Sequence, residues 1–151
     1  MRVVHGDLLE LARRGEFDVI IHGCNCMCEM GKGIALAIKQ QFPQAYIADV
    51  QTGKGNRLKL GSFSSATVDT GRGSLVVVNA YTQFDFKGKG IQADYAAIRR
   101  AMLAIARDFA TRRIGYPKIG AGLAGGDWSI ISAIIDEEFD GLDHTCVEFS
   151  P

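Results

Sequence analysis

The chain has 151 residues, 47% hydrophobic and 23% charged, and its 17 lysines and arginines balance 17 aspartates and glutamates. This is the composition of a folded chain with one core, and it excludes a general nucleic-acid binder, which needs surplus cations against phosphate. A small anionic ligand stays open, because backbone amides hold phosphate without net charge; no apolar run approaches the roughly 18 to 20 residues that span a bilayer.

The start of the chain, Met1 to Val4, reads as a strand with no signal-peptide pattern, so a cytoplasmic location is expected. Gly6-Asp7 is a turn, and Leu8 to Arg14 a short helix ended by Gly15. Phe17 to His22 is a β-branched run of the kind found in buried parallel strands. A loop from Gly23 to Gly33 leads into a helix over Ile34 to Phe42, stopped by Pro43. Gln44 to Asn56 is expected to hold one further helical turn and then a Gly-rich loop. Leu60 to Asp69 and Leu75 to Tyr81 read as strands joined at Gly71-Arg72-Gly73. Ala93 to Thr111 is the longest helix, with Tyr95, Ile98, Met102, Ile105 and Phe109 on one face. Ile114 to Ile119 is a strand, Gly120 to Gly126 a second Gly-rich loop, Trp128 to Phe139 a helix and Thr145 to Phe149 a closing strand. With no linker or repeat, a single domain over residues 1–151 is expected. Alternating strands and helices predict helices on both faces of a mostly parallel sheet.

Two strands each run into a Gly-rich loop and then a helix, which puts both loops at carboxyl ends of strands, where open α/β sheets bind ligands. In the first, Gly31 and Gly33 precede a helix whose free amides and dipole favour an anion. In the second, four glycines in seven residues would be costly as mere connection. That loop is not a Walker A motif, since no Gly-Lys-Ser/Thr follows. It matches G-x-G-x-x-G by spacing but lacks the acidic ribose residue of a Rossmann site. Cys24, Cys26 and Cys28 alternate and, with Cys146, are read as reduced thiols; their spacing departs from zinc sites, and neither metal nor cofactor is expected.

These stretches resemble the macrodomain family. Gly6-Asp7-Leu8-Leu9 is similar to its G-D-[IL] element, and residues 18–26, D-V-I-I-H-G-C-N-C, to its D-A-I-V-N-A-A-N stretch. Met30-Gly31-Lys32-Gly33-Ile34-Ala35 resembles M-G-x-G-I-A, and Tyr116 to Leu123 resembles the P-x-I-G-x-G-[LI] loop. The resemblance implies a three-layer α/β/α fold with a mixed, mostly parallel central sheet, and ADP-ribose as ligand. It implies that Asp7 accepts from the adenine amino group near the Leu8 amide, and that Asn25 meets the distal ribose. It also implies that Gly31, Lys32, Gly33 and Ile34, with Gly120, Ala121, Gly122, Leu123, Ala124 and Gly125, wrap the diphosphate and distal ribose. Read from the residues alone, a plain helix cap at Asp7 and a turn residue at Asn25 are the alternatives.

The likeness is nearer to the branch of ADP-ribosyl glycohydrolases, DNA ADP-ribosyl glycohydrolase antitoxins and yeast-type ADP-ribose-1″-phosphate phosphatases. The lysine those glycohydrolases carry after the central strand is missing, with none before Lys87, and Ala124 stands where some have aspartate. Hydrolysis of ADP-ribose-1″-phosphate is therefore the favoured reaction; removal of ADP-ribose from protein or nucleic acid, and binding without turnover, are its rivals. His22, Asn25 and Asp127 are the candidate catalytic residues, His22 as acid or base. The alternatives are a core histidine at 22 and a helix cap at 127. Lys32 is a candidate counter-charge for phosphate. Asn79, Tyr81 and Gln83 alternate at a strand end, with the cleft-facing side unassigned.

Overall fold

The computed structural model describes all 151 residues. Its strands are β1 (Arg2–Gly6), β2 (Val19–Cys24), β3 (Phe63–Asp69), β4 (Ser74–Tyr81), β5 (Ile114–Tyr116) and β6 (His144–Phe149). The helices are α1 (Leu8–Arg13), α2 (Gly33–Gln41), α3 (Pro43–Gln51), α4 (Tyr95–Asp108) and α5 (Trp128–Glu138), and a 3-10 turn covers Arg57–Lys59. The strands form one sheet in the order β1-β6-β5-β2-β4-β3. Every neighbouring pair is parallel except β3 and β4. The expected mixed, mostly parallel sheet is thus the one found.

Successive side chains of a strand point to opposite faces, and β2 shows what each face buries. Val19 and Ile21 join Ile98, Met102, Ile105, Ile131, Ile135 and Phe139 in a core beneath α4 and α5. Ile20 faces the other way, into a second core with Leu8, Leu9, Ile38, Val77 and Val147 beneath α1, α2 and α3. Both faces are covered, so the central strands read as continuous apolar runs. No helix is long and apolar enough to cross a membrane.

Three expectations are corrected. Residues 44–56 hold more than a single turn: Pro43 ends α2 and also opens α3, a nine-residue helix, as the N1 position of a helix allows. β5 stops at Tyr116 because Pro117 has no N–H to extend the ladder. β2 runs to Cys24, two residues past the expected end at His22, so of the three alternating cysteines only Cys26 and Cys28 lie in the loop.

Candidate functional site

The carboxyl ends of β2 and β5, strands that pair directly, bring the two Gly-rich loops together. They line two adjoining chambers of about 680 and 780 Å³. Gly33, Ile34, Pro117 and Lys118 border both and form the junction. Leu123 of the second loop reaches across to the first: a Cβ on Gly33 would lie 3.7 Å from its Cδ1.

The smaller chamber holds Asp7, Leu8, Glu148 and Phe149. Asp7 does cap α1, its Oδ1 accepting from the amides of Leu9 (2.9 Å) and Glu10 (3.3 Å). Oδ2 has no partner in the protein, so the cap and a ligand contact are compatible. Phe149, 74% exposed, comes from the other end of the chain because β6 pairs with β1. Lys118 pairs with Glu148 at 3.2 Å.

The larger chamber holds Asn25, Glu29, Gly31, Lys32, Thr82, Gln83, Phe86, Gly120, Gly122, Leu123 and Ala124. Asn25 organises its own loop: Oδ1 accepts from the Met27 amide (2.9 Å) and Nδ2 donates to the Glu29 carbonyl (2.9 Å). The amides of Gly31, Lys32, Gly33, Ile34 and Ala35 donate to nothing in the protein, and Lys32 makes no side-chain cap. The amides of Gly122, Leu123 and Ala124 are equally free. Unpaired donors at a helix start and in a facing turn are what an anion needs.

Glycine is required at two points for space. The Gly126 amide donates to the Gly120 carbonyl at 2.7 Å, closing the second loop, and a Cβ on Gly126 would lie 2.6 Å from that oxygen. A Cβ on Gly23 would lie 2.8 Å from Thr82 Oγ1 at the chamber floor. That hydroxyl is buried without a hydrogen-bond partner.

Several expected site residues fall elsewhere. His22 is fully buried and borders neither chamber. It sits on the β2 face covered by α3, with Nε2 2.7 Å from Asn79 Oδ1, and burial pushes its pKa down to about 4. A neutral ring walled off from the cleft is a core histidine, and its acid/base assignment is withdrawn. Asp127 caps α5, accepting from the Ser129 amide (2.9 Å) and hydroxyl (2.7 Å). The Ser129 hydrogen bonds hold its carboxyl below the usual range. It too lies outside the cleft and is withdrawn as a candidate catalytic residue. Ala121 packs on the core under α4 and α5, and Gly125 turns away against Gly90 and Ile91, so neither lines the cleft. Asn79 and Tyr81 point under α3, where they donate to the Ala45 carbonyl (2.9 Å) and Asp49 Oδ1 (2.8 Å); of that alternating set Gln83 alone borders the cleft.

Glu29, Lys118, Thr82, Phe86 and Phe149 were not read from the sequence as site residues. Glu29 lies in the Gly23 to Gly33 loop and Lys118 in the Tyr116 to Leu123 stretch, so both were legible as charges near glycines. Phe149 carried no local signal, because only strand order brings it to the cleft.

The comparisons with known proteins agree with this fold. The family model described as Macro domain matches residues 21–135. A 17.5 kDa protein of Enterobacteria phage T4, from the tk-vs intergenic region, is 33% identical over 100% of this chain and 97% of its own length. The DNA ADP-ribosyl glycohydrolase of Mycobacterium tuberculosis is 27% identical over 91% of this chain, which spans only 38% of that protein. The solved macrodomain of Mycobacterium tuberculosis DarG superposes with a TM-score of 0.73 at 25% identity, covering 99% of this chain and 97% of that one. With a family model matching most of its length and a cleft built from the two loops that carry the motifs, this chain belongs to the macrodomain family.

Proposed function

We propose that this chain binds ADP-ribose along the joined cleft and hydrolyses a substituent at C1″ of the distal ribose. The observation that carries the reading is the set of unpaired amides from Gly31 to Ala35 and from Gly122 to Ala124, converging on one cleft with Asp7 at its far end. In this reading adenine lies in the Asp7 chamber, with Asp7 Oδ2 accepting from its amino group and Phe149 against its ring. The diphosphate crosses the junction, where the amides and Lys118 meet its charge. The distal ribose enters the Asn25 chamber.

ADP-ribose-1″-phosphate remains the proposed substrate, with other residues in the roles first given to His22 and Asp127. Glu29 is the carboxylate bordering the distal chamber, and its side chain makes no hydrogen bond in the protein. In this reading it takes a proton from an attacking water. Lys32, on the same loop, offsets the charge of the departing phosphate. The second reading is release of ADP-ribose from a macromolecule. It is favoured by the exposed Phe86 on the distal rim and by the name of the mycobacterial relatives.

Calorimetry with ADP-ribose tests the binding claim, and phosphate release from ADP-ribose-1″-phosphate tests the reaction. Glu29→Gln is expected to lower turnover by about a hundredfold or more, as removing a general base does, with ADP-ribose affinity nearly unchanged. Full turnover in that variant removes Glu29 from the mechanism. Wild-type release of ADP-ribose from modified DNA or protein, without phosphate release from the small substrate, selects the second reading.

A further inference from the structure

Outside the cleft, a polar cluster sits under α3, and its least expected member is Lys59, only 6% exposed. Its ammonium donates to Thr52 Oγ1 (2.8 Å), to the Gly53 carbonyl (2.7 Å) and to the sulfur of Cys28 (3.4 Å). Three acceptors use all three N–H groups of an ammonium, and the sulfur is one of them. Cys28 is held in place from its own side too. Its backbone is the one non-glycine position with positive φ, at 56°, and its thiol donates to the Asp49 carbonyl at 3.4 Å. The pair joins the loop that carries Asn25 and Glu29 to the Arg57–Lys59 turn. Cys28 is half-buried, whereas Cys24, Cys26 and Cys146 are buried. Cys26 directs its thiol to the Gln83 carbonyl instead (3.5 Å).

We infer that Cys28 and Lys59 form an oxidative modification site, in which a peroxide converts the sulfur–nitrogen contact into a covalent Sγ–Nζ link. In the first step the Cys28 sulfur attacks one peroxide oxygen. The S–O bond forms, the O–O bond breaks, and the departing hydroxide takes the thiol proton and leaves as water. Sulfur is oxidised by two electrons, peroxide is reduced, and a sulfenic acid results. Such acids condense with thiols or with nitrogen, and the nitrogen already in contact is Nζ. In the second step Lys59, after giving one ammonium proton to solvent, attacks the sulfur. The N–S bond forms, the S–O bond breaks, and hydroxide leaves with a second nitrogen proton as water. The sum is thiol, ammonium and one peroxide going to a sulfenamide, two waters and one proton. The neighbouring thiols compete poorly, because burial raises the pKa of both Cys24 and Cys26.

The test is peptide mapping by mass spectrometry of the whole chain after treatment with stoichiometric hydrogen peroxide. The expected main product is a linked pair of peptides carrying Cys28 and Lys59, about 2 Da lighter than their reduced sum. Tryptic cleavage after Lys59 should be lost and then restored by dithiothreitol. A Lys59→Arg variant should give no link and carry the Cys28 oxidation onward to sulfinic acid. The wild-type map decides the question even if that variant does not fold. Cys28 recovered as sulfinic or sulfonic acid beside an unmodified Lys59, a disulfide between Cys28 and another cysteine, or no reaction at Cys28 would each overturn the inference.

Discussion

His22 and Asn79 stand opposite each other on β2 and β4, with Nε2 2.7 Å from Oδ1. The Asn79 amide nitrogen donates to Ala45 O (2.9 Å) and Ser64 Oγ (3.0 Å), which leaves Oδ1 for the ring and assigns the histidine proton to Nε2. Folding lowers the His22 pKa from 6.5 to about 4, mainly by burial. The unfolded chain therefore binds the proton more readily. Stability from the neutral ring is complete above about pH 6.5, falls as pH drops towards 4 and is fully lost below it. The shift is worth at most about 3 kcal/mol. Denaturant unfolding at pH 7.5 and 4.5 should show the wild type losing about 2 kcal/mol more than His22→Gln. Equal losses would place the acid sensitivity elsewhere.

Asp7 combines a cap with a free oxygen, and the two roles separate by substitution. Asp7→Asn keeps an oxygen for the Leu9 and Glu10 amides and turns an NH₂ to the cleft. Stability should stay within about 0.5 kcal/mol, while ADP-ribose affinity falls about tenfold or more, or ~1.4 kcal/mol. Asp7→Ala should lose the cap as well, about 1 kcal/mol. Calorimetry and chemical denaturation read the two effects independently. Unchanged affinity in Asp7→Asn would mean that the carboxylate does not select the purine.

Thr82 carries a buried hydroxyl without a partner at the floor of the distal chamber. Replacing it with the similarly shaped valine should raise stability by about 1 kcal/mol, the order of cost of an unsatisfied hydroxyl. Gly23→Ala should do the reverse, since its Cβ meets that same oxygen at 2.8 Å and Ile119 at 3.2 Å. A loss of about 1–3 kcal/mol is expected from such overpacking, with weaker ADP-ribose binding. The double variant Gly23→Ala/Thr82→Ala should recover part of both. Additive losses would show that the two positions do not press on each other.

Asp127→Ala should lower the melting temperature by removing the α5 cap and leave turnover of ADP-ribose-1″-phosphate at the wild-type rate. A large loss of rate with the fold intact would return Asp127 to the mechanism.

The pattern of strands and helices was legible because β-branched runs, glycines and prolines act locally. The β2 and β4 strands, α4 and the two Gly-rich loops are all signalled within a window of ten or so residues. His22 shows where such reading stops. It stands one residue before the first loop, and nothing local says which face of the sheet it points to. Glu29 lies in that same loop as the chamber's free carboxylate, and no spacing marks it as different from a surface charge.

Chain chemistry alone therefore determined that two glycine-rich turns follow parallel strands, that their amides suit an anion, and that Asp7 begins a helix. Tertiary structure decided which side chains share the cleft. Strand order put Phe149 beside Asp7, and the alternation of side chains along β2 sent His22 under α3. Helix starts and glycine turns are properties of short segments, whereas the direction a side chain faces depends on what the sheet packs against.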